Sequence, residues 1–219
     1  MAASAASFSL RCLSALILAP LVLAALWYGW PIYILALAAV CISIYEWLNL
    51  TAKLPLGTFI GIGGILYIAA CATCFVLTQN YGVIYPIALI LAVWMSDIGA
   101  YVSGKLIGGP RLAPTISPNK TWAGLIGGSV ASALTLVGVG MTFDLTFSIV
   151  TVLIIGALLT PVGQLGDLIV SIFKRKADVK DTGNLIPGHG GLLDRIDALL
   201  LASPFFLFCL VVLIGPLSK

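Results

Sequence analysis

The sequence contains few charged residues. Of its 219 residues, 9% are charged and 61% are apolar, whereas a soluble globular domain has about 25% charged residues. This shortage excludes an ordinary soluble domain, and it excludes a disordered chain, which combines high charge with low hydrophobicity. A net charge of +3 provides too little basic surface for nucleic-acid binding, so no nucleic-acid partner is predicted. A multi-span helical membrane protein remains.

Histidine and paired cysteines are also scarce. The chain has a single histidine, His189, and a zinc site requires three or four His, Cys or acidic ligands. We therefore interpret His189 as a hydrogen-bonding or phosphate-contacting residue, or as part of a structural turn. Cys71 and Cys74 have CxxC spacing, but no polar loop or second pair accompanies them, which favours two small apolar residues in a membrane helix.

Long apolar segments predict an all-α polytopic membrane protein with about seven transmembrane helices, within a range of six to eight. A spanning helix needs about 20 mostly apolar residues. The first segment is interpreted as a retained anchor rather than a signal peptide, because the second segment follows at once. The predicted spans are Leu13–Tyr28, Pro31–Leu50, Gly57–Leu77, Val83–Ile107, Trp122–Phe143, Leu145–Val162 and Ile196–Leu213.

The basic residues predict the orientation in the membrane. Alternate counting across seven spans from a cytoplasmic N-terminus puts ten of the eleven Lys and Arg residues on the cytoplasmic side and only Lys219 on the other. This bias agrees with the positive-inside rule. We therefore predict a multi-pass protein of the cell membrane, with its N-terminus and a polar cavity on the cytoplasmic side.

The few charges are unevenly distributed along the chain. Residues 1–96 contain three, Arg11, Glu46 and Lys53, whereas residues 97–197 contain fifteen of the nineteen. Ionisable residues in membrane segments usually indicate function. Residues 1–96 are therefore interpreted as N-terminal transmembrane helices that anchor the protein and form a scaffold, and residues 97–219 as the transmembrane catalytic region.

The first polar group lies at the end of the fourth predicted span. Asp97, Tyr101 and Lys105 are spaced at i, i+4 and i+8, which places them on one face of a helix. Asp97 is either a polar clamp between helices or a contact to a cation or substrate, and its position leaves both open. The run Gly99 to Lys105 matches the start of a P-loop, but Leu106 follows and no strand precedes it, so a P-loop is rejected.

The second polar group, Ser117-Pro-Asn-Lys-Thr-Trp122, precedes the fifth span. Thr121 is a candidate helix cap, and Lys120 lies near the helix N-terminus, where the dipole favours anions. This arrangement suits a phosphate site. The alternative is an interfacial loop with a lysine that extends to the membrane surface.

The third polar group contains most of the residues that are candidates for binding magnesium and phosphate. Asp167, Ser171 and Lys174 share one helical face, and Asp194 and Asp197 are three residues apart at the start of the last span. Magnesium binds one or two carboxylates together with substrate phosphates, and lysines neutralise phosphate charge. The alternative is a cytoplasmic loop that is rich in basic residues and whose acids have no function. This alternative explains the lysines, but it does not explain why Asp167 lies beside an apolar run.

Residues 171–197, SIFKRKADVKDTGNLIPGHGGLLDRID, resemble the signature of the phosphatidate cytidylyltransferases, also called CDP-diacylglycerol synthases. The chain matches the family pattern at all 27 positions. This pattern consists of S-x-x-K-R, K-D-x-G, P-x-H-G-G and D-R-x-D, separated by the family's intervals. The resemblance extends to Gly166-Asp167, Ser117–Trp122 and Asp97–Tyr101, and so covers about the last 125 residues. The N-terminal spans resemble the family only in hydropathy.

The resemblance implies that CTP and phosphatidate, a membrane lipid, react to give CDP-diacylglycerol and pyrophosphate, with magnesium required. It also implies a homodimer and potassium as a candidate second cation. Asp167 and Asp194 would be the metal ligands. The catalytic residues would be Asp167, Ser171, Lys174, Asp194 and Lys120. Substrate contacts would come from Asp97, Tyr101, Ser117, Lys120, Arg175, Lys180, Asp181, His189, Arg195 and Asp197.

Two alternatives remain open at this point. A cytidylyltransferase that acts on another polar lipid, such as an archaeal ether lipid, would use similar chemistry. A transporter or channel would use Asp97 and Asp167 for a cation path. The absence of an internal repeat and the concentration of polar residues on one predicted side of the membrane count against a transporter.

Overall fold

The computed structural model describes residues 20–143, 147–185 and 190–216. Within them, six helices are long and apolar enough to cross a membrane. These follow α1, which is described over residues 20–28, and a 3-10 turn, Gln79–Tyr81, lies between the second and third of them. The six are α2 (Pro31–Thr51), α3 (Gly57–Thr78), α4 (Ile84–Leu106), α5 (Trp122–Thr142), α6 (Ile149–Lys176) and α7 (Leu193–Ile214). The predicted all-α polytopic membrane fold is confirmed.

The predicted spans agree with the helices to within a few residues, except in the first and sixth. The first predicted span, Leu13–Tyr28, and the start of the sixth, Leu145, lie partly outside the described residues. The end of the sixth span at Val162 was wrong as a helix boundary, because α6 continues to Lys176 with Pro161 inside it. At 1.5 Å per residue, its 28 residues measure about 42 Å, longer than a hydrocarbon core of about 30 Å.

Helices α4 to α7 pack as successive antiparallel neighbours, and α2 and α3 complete the bundle against α7. One apolar cluster, with Leu89, Leu159 and Phe206 among its members, joins α4, α6 and α7. A second cluster includes Trp47 and Leu193 and joins the C-terminal half of α2 to the start of α7. The C-terminal ends of α2, α4 and α6 therefore meet the N-terminal ends of α5 and α7 at one end of the bundle.

Glycine residues bring the main chains of α4 and α5 into contact. A Cβ atom on Gly99 of α4 would lie 2.6 Å from Ala131 Cβ and 2.8 Å from Gly127 O. On α5, a Cβ atom on Gly128 would lie 2.8 Å from Ser96 O. Small residues allow this close approach in membrane helices. We call this contact the α4–α5 seam.

A short β-hairpin connects α4 to α5, where the sequence analysis expected a loop. Strand β1 (Arg111–Ala113) pairs antiparallel with β2 (Ser117–Thr121), with Arg111 opposite Thr121 and an irregularity between the two register pairs. Gly124 N donates a hydrogen bond of 3.0 Å to Thr121 Oγ1. The predicted helix cap at Thr121 is therefore confirmed, and it fixes the chain direction just after Lys120.

Candidate active site

Asp167 lies on α6 and faces the start of α5. Its Oδ2 atom forms an ion pair of 2.5 Å with Lys120 Nζ, and the two side chains are 31% and 16% exposed. Ser171 Oγ, one helical turn later, donates a hydrogen bond of 3.0 Å to Asp167 Oδ1. The sequence spacing of Asp167 and Ser171 therefore places them in contact, and the carboxylate remains partly open.

A small polar cavity lies beside this ion pair. Asp97, Lys120 and Asp167 line it together with Ser132 and Gln164. Ser132 is fully buried, and Ser132 Oγ and Gln164 Oε1 have no hydrogen-bond partner in the described part of the chain. The cavity thus brings together polar groups from α4, α5 and α6, and it is the predicted polar cavity at the charged end of the bundle.

Asp194, in the first turn of α7, is enclosed by donors. Lys174 Nζ contacts its Oδ1 atom at 2.7 Å, with the two side chains only 9% and 5% exposed. Its Oδ2 atom accepts hydrogen bonds from Thr182 N at 2.8 Å, Thr182 Oγ1 at 3.0 Å and Gly191 N at 3.2 Å. Both oxygens are therefore engaged, which satisfies a buried charge that would otherwise be costly.

Asp197 lies one turn further along α7 and is buried, with 6% of its surface exposed. Its Oδ1 atom accepts a hydrogen bond of 2.7 Å from Ala198 N, and its carboxyl group is within electrostatic reach of Asp167 and Lys174. On the other side, Asp97 is within electrostatic reach of Asp167 and Lys120. Three acidic side chains and two lysines, from helices α4, α6 and α7 and from strand β2, therefore share one electrostatic environment.

The remaining predicted substrate contacts lie around this centre or away from it. Tyr101 is 67% exposed, and its ring contacts Lys105 Nζ at 5.6 Å, so it does not join the residues that line the cavity. Ser117 is half-buried in β2. Arg195 is exposed and lies within electrostatic reach of Asp97. His189 lies outside the described residues.

Arg175, Lys180 and Asp181 are exposed residues at and after the end of α6. Arg175 Nε donates to Ile116 O at 3.2 Å, and Arg175 Nη1 donates to Val179 O at 3.4 Å. The guanidinium group therefore ties the β-hairpin to the end of α6. A Cβ atom on Gly190 would lie 3.3 Å from the side chain of Asp181. These two residues, nine positions apart in the sequence, therefore lie close together.

Glu46 also belongs to this region, although its position in the sequence predicts a residue of the N-terminal scaffold. Glu46 is 4% exposed on α2. It accepts hydrogen bonds from Leu192 N at 2.9 Å, Leu193 N at 2.8 Å and Thr182 Oγ1 at 3.0 Å. An acid in an otherwise apolar span was the available signal, but its partners lie more than 130 residues away in the chain.

The carboxylates differ in how well they suit a metal ion. No group of three or more His, Cys, Asp or Glu side chains in the described ranges forms a ready-made ion site. Magnesium needs only one or two carboxylates when substrate phosphates supply the rest. Asp167 fits this requirement, because it is partly exposed and has hard oxygen atoms. Asp167 and Asp194 each have protein donors on both oxygens, so metal binding at either requires the exchange of a donor. Asp194, with 5% of its side chain exposed, is the more enclosed of the two.

Comparison with known proteins identifies the family of this chain. A relative from Rickettsia bellii named phosphatidate cytidylyltransferase is 37% identical over 209 residues, which cover 91% of this chain and 89% of the relative. A Bacillus subtilis protein with the same name is 41% identical over 148 residues, which cover 66% of this chain and 55% of that protein. The sequence model of the Cytidylyltransferase family matches residues 57–213. The chain therefore belongs to the cytidylyltransferase family.

Proposed function

We propose that this protein is a phosphatidate cytidylyltransferase, which converts CTP and phosphatidate to CDP-diacylglycerol and pyrophosphate. The observation that carries the proposal is the meeting of Lys120 with Asp167, and of Lys174 with Asp194, at one end of the bundle. The relatives named above carry this activity in their names. An ordinary helical membrane scaffold has no need for four charged side chains from α6, α7 and strand β2 at one end of the bundle.

In the proposed reaction, an oxygen of the lipid phosphate attacks the α-phosphorus of CTP. A new P–O bond forms, the bond between the α-phosphorus and the oxygen that bridges to the β-phosphorus breaks, and pyrophosphate leaves. The lipid phosphate is already anionic, so no general base is required. The protein therefore contributes mainly through the position of the two phosphates and through neutralisation of their charge.

Lys120 and Lys174 supply positive charge for this chemistry. The Lys120 Nζ atom is buried and its carboxylate partner is 31% exposed, so a phosphate that approaches over Asp167 can compete for the ammonium group. Lys174 is more deeply enclosed and stabilises the site through its ion pair with Asp194. Ser171, which donates to Asp167, orients that carboxylate.

Magnesium is part of the proposal, with Asp167 as the carboxylate best suited to hold it and Asp194 as the second candidate. When bound, the ion would neutralise phosphate charge and align the reacting groups. Asp97 and Asp197 bring two further carboxyl groups, each a source of hard oxygen ligands, within electrostatic reach of Asp167. Potassium as a second cation and a homodimer stay predictions.

We also propose that the charged end of the bundle faces the cytoplasm of a bacterial cell. Lys53, Lys105 and Arg111 follow the ends of α2 and α4 or lie in their last turns, and the end of α6 carries three more basic residues. This distribution agrees with the positive-inside rule. The site would then meet cytosolic CTP on one side and the headgroups of the inner leaflet on the other.

Pyrophosphate release by the purified protein tests the proposed activity. We expect release from CTP, but not from ATP, GTP or UTP, and only when phosphatidate and magnesium are both present. Competition between diacyl and dialkyl glycerol phosphates separates phosphatidate from an ether-lipid substrate. Ion flux in vesicles without pyrophosphate release would instead identify a transporter.

A further inference from the structure

We propose that Glu46 is a positioning residue that holds the two described ends of the loop before α7, residues 182–183 and 191–193, and, through Thr182, the carboxylate of Asp194. This inference rests on the proposed function for its effect on catalysis. Its structural part, that one side chain of α2 organises the loop of the C-terminal signature, rests on hydrogen bonds alone.

Glu46 closes the N-terminus of α7 from a distant part of the chain. The first amides of a helix have no partners within the helix and need acceptors. Leu192, the residue that precedes α7, has no local side-chain cap, and Glu46 accepts from Leu192 N at 2.9 Å and from Leu193 N at 2.8 Å. A carboxylate at this place also interacts favourably with the helix dipole.

The loop fits tightly around the Glu46 side chain. A Cβ atom on Gly183 would lie 2.6 Å from Glu46 Oε1, and one on Gly191 would lie 2.6 Å from Glu46 Oε2. Both distances are shorter than a carbon–oxygen contact allows, so glycine is required at both positions. Glu46 is thus enclosed by the loop on two sides, and its removal would leave a cavity lined by amide donors without acceptors.

A single hydroxyl group links Glu46 to Asp194. Thr182 Oγ1 lies 3.0 Å from Glu46 Oε2 and 3.0 Å from Asp194 Oδ2. A hydroxyl group has one proton to donate, so the two carboxylates share it. Thr182 N donates to Asp194 at the same time. The position of Thr182, which Glu46 helps to fix, therefore determines where two of the donors to Asp194 lie.

A purely structural role in helix packing is the competing explanation, and α2 provides a matched control. Ser43 lies one turn before Glu46, is fully buried, and its Oγ atom has no hydrogen-bond partner in the described ranges. A Ser43→Ala substitution alters the same buried part of α2 without touching the loop. Glu46→Gln keeps the volume of the side chain, so it remains informative where Glu46→Ala fails to fold.

Hydrogen exchange of the detergent-purified protein tests the structural part without reference to activity. We expect the amides of Leu192 and Leu193 to exchange about 10-fold faster in Glu46→Gln than in the unmodified protein, because a hydrogen bond to a charged group is worth about 10-fold or more. Ser43→Ala should leave this exchange unchanged. Unchanged exchange in a folded Glu46→Gln variant, or equal acceleration in Ser43→Ala, overturns the inference.

Kinetics test the link through Thr182. We expect Glu46→Gln and Thr182→Val each to lower kcat about 10-fold with the KM for CTP within about 2-fold, and Thr182→Ser to retain activity. The double variant should lose much less than the product of the two single losses, since both act on one hydroxyl. A fully multiplicative loss overturns the link. If the unmodified protein releases no pyrophosphate, the proposed function fails, while the exchange result still decides the structural part.

Discussion

The two signature carboxylates that carry the proposed chemistry have opposite environments. Asp167 contacts one lysine and one serine and is 31% exposed. Asp194 receives one lysine and three further donors and is 5% exposed. We refer to these as the Asp167 region, formed by α4, α5 and α6, and the Asp194 region, formed by α2, the loop after α6, and α7.

This difference in exposure and in the number of donors suits the Asp167 region to exchange with a ligand and the Asp194 region to structural support. A partly open carboxylate with a single cation can exchange that cation for a metal or let it move to a phosphate. A buried carboxylate with its hydrogen-bonding capacity filled stabilises its surroundings, and loss of one partner exposes an uncompensated charge. Substitutions in the Asp167 region should therefore lower activity, and substitutions in the Asp194 region should lower stability as well.

The largest effect is expected for Asp167→Asn. The neutral amide keeps the shape of the side chain but cannot provide the charge needed for a metal or for Lys120, so the rate of pyrophosphate release should fall about 1,000-fold. Thermal unfolding in detergent should change little, because the site is partly exposed. Asp178→Asn, at an exposed acid after α6, serves as the control. Full activity in Asp167→Asn would remove Asp167 from the reaction.

Asp194→Asn is expected to lower stability as well as activity. Lys174 would remain buried opposite a neutral amide, and a buried charge without its partner costs about 3–5 kcal/mol. The measurement is the denaturation midpoint of Asp194→Asn, compared with that of Asp167→Asn. Adding Lys174→Met to Asp194→Asn should recover part of the loss. Equal stability of Asp194→Asn and Asp167→Asn would contradict the contrast between the two regions.

Lys120→Met should reduce activity by about 10- to 100-fold through the loss of one phosphate contact. Its effect on stability should stay below about 1 kcal/mol, because partly exposed ion pairs contribute little. Lys105→Met, at an exposed lysine on α4, is the matched control and should retain activity. A loss of stability as large as that of Asp194→Asn would mean that both regions are structural.

The smallest effect is expected for Tyr101→Phe. Tyr101 shares a helical face with Asp97 in sequence, but it is 67% exposed and does not line the cavity beside Asp97. The variant should keep kcat and KM within about 2-fold of the unmodified protein. A 10-fold change would extend the site along α4 beyond the cavity and blur the boundary of the Asp167 region.

The sequence was sufficient to predict most of the helices and the local pairs within them. Apolar runs of about 20 residues identify spans, and i, i+4 spacing placed Ser171 against Asp167. Tyr101, at the same spacing from Asp97, is 67% exposed and does not line the cavity, and its role in substrate binding stays a prediction. The end of α6 was placed too early since polar residues that face the bundle lower local hydropathy.

The contacts between distant segments were not predictable in the same way. Hydropathy and spacing do not indicate which lysine pairs with which aspartate, so the pairing of Lys120 with Asp167 and of Lys174 with Asp194 required the packed helices. Glu46 shows the limit most clearly. Its partners are backbone amides and one hydroxyl group. Because nearly every residue has a backbone amide, the sequence does not indicate which amides bind Glu46.

The α4–α5 seam has a consequence for how the protein can move. Backbone atoms that touch through glycine leave no side-chain layer in which one helix can slide past the other. We therefore expect α4 and α5 to move as one body, with Asp97 and the start of α5 at a constant separation. Glycines bring α6 equally close to its neighbours, since a Cβ atom on Gly156 would clash with the main chain of Ala133 on α5 and one on Gly166 would lie 2.5 Å from Asp197 O on α7. The same reasoning therefore extends to α6 and α7, and α4 to α7 are expected to move together.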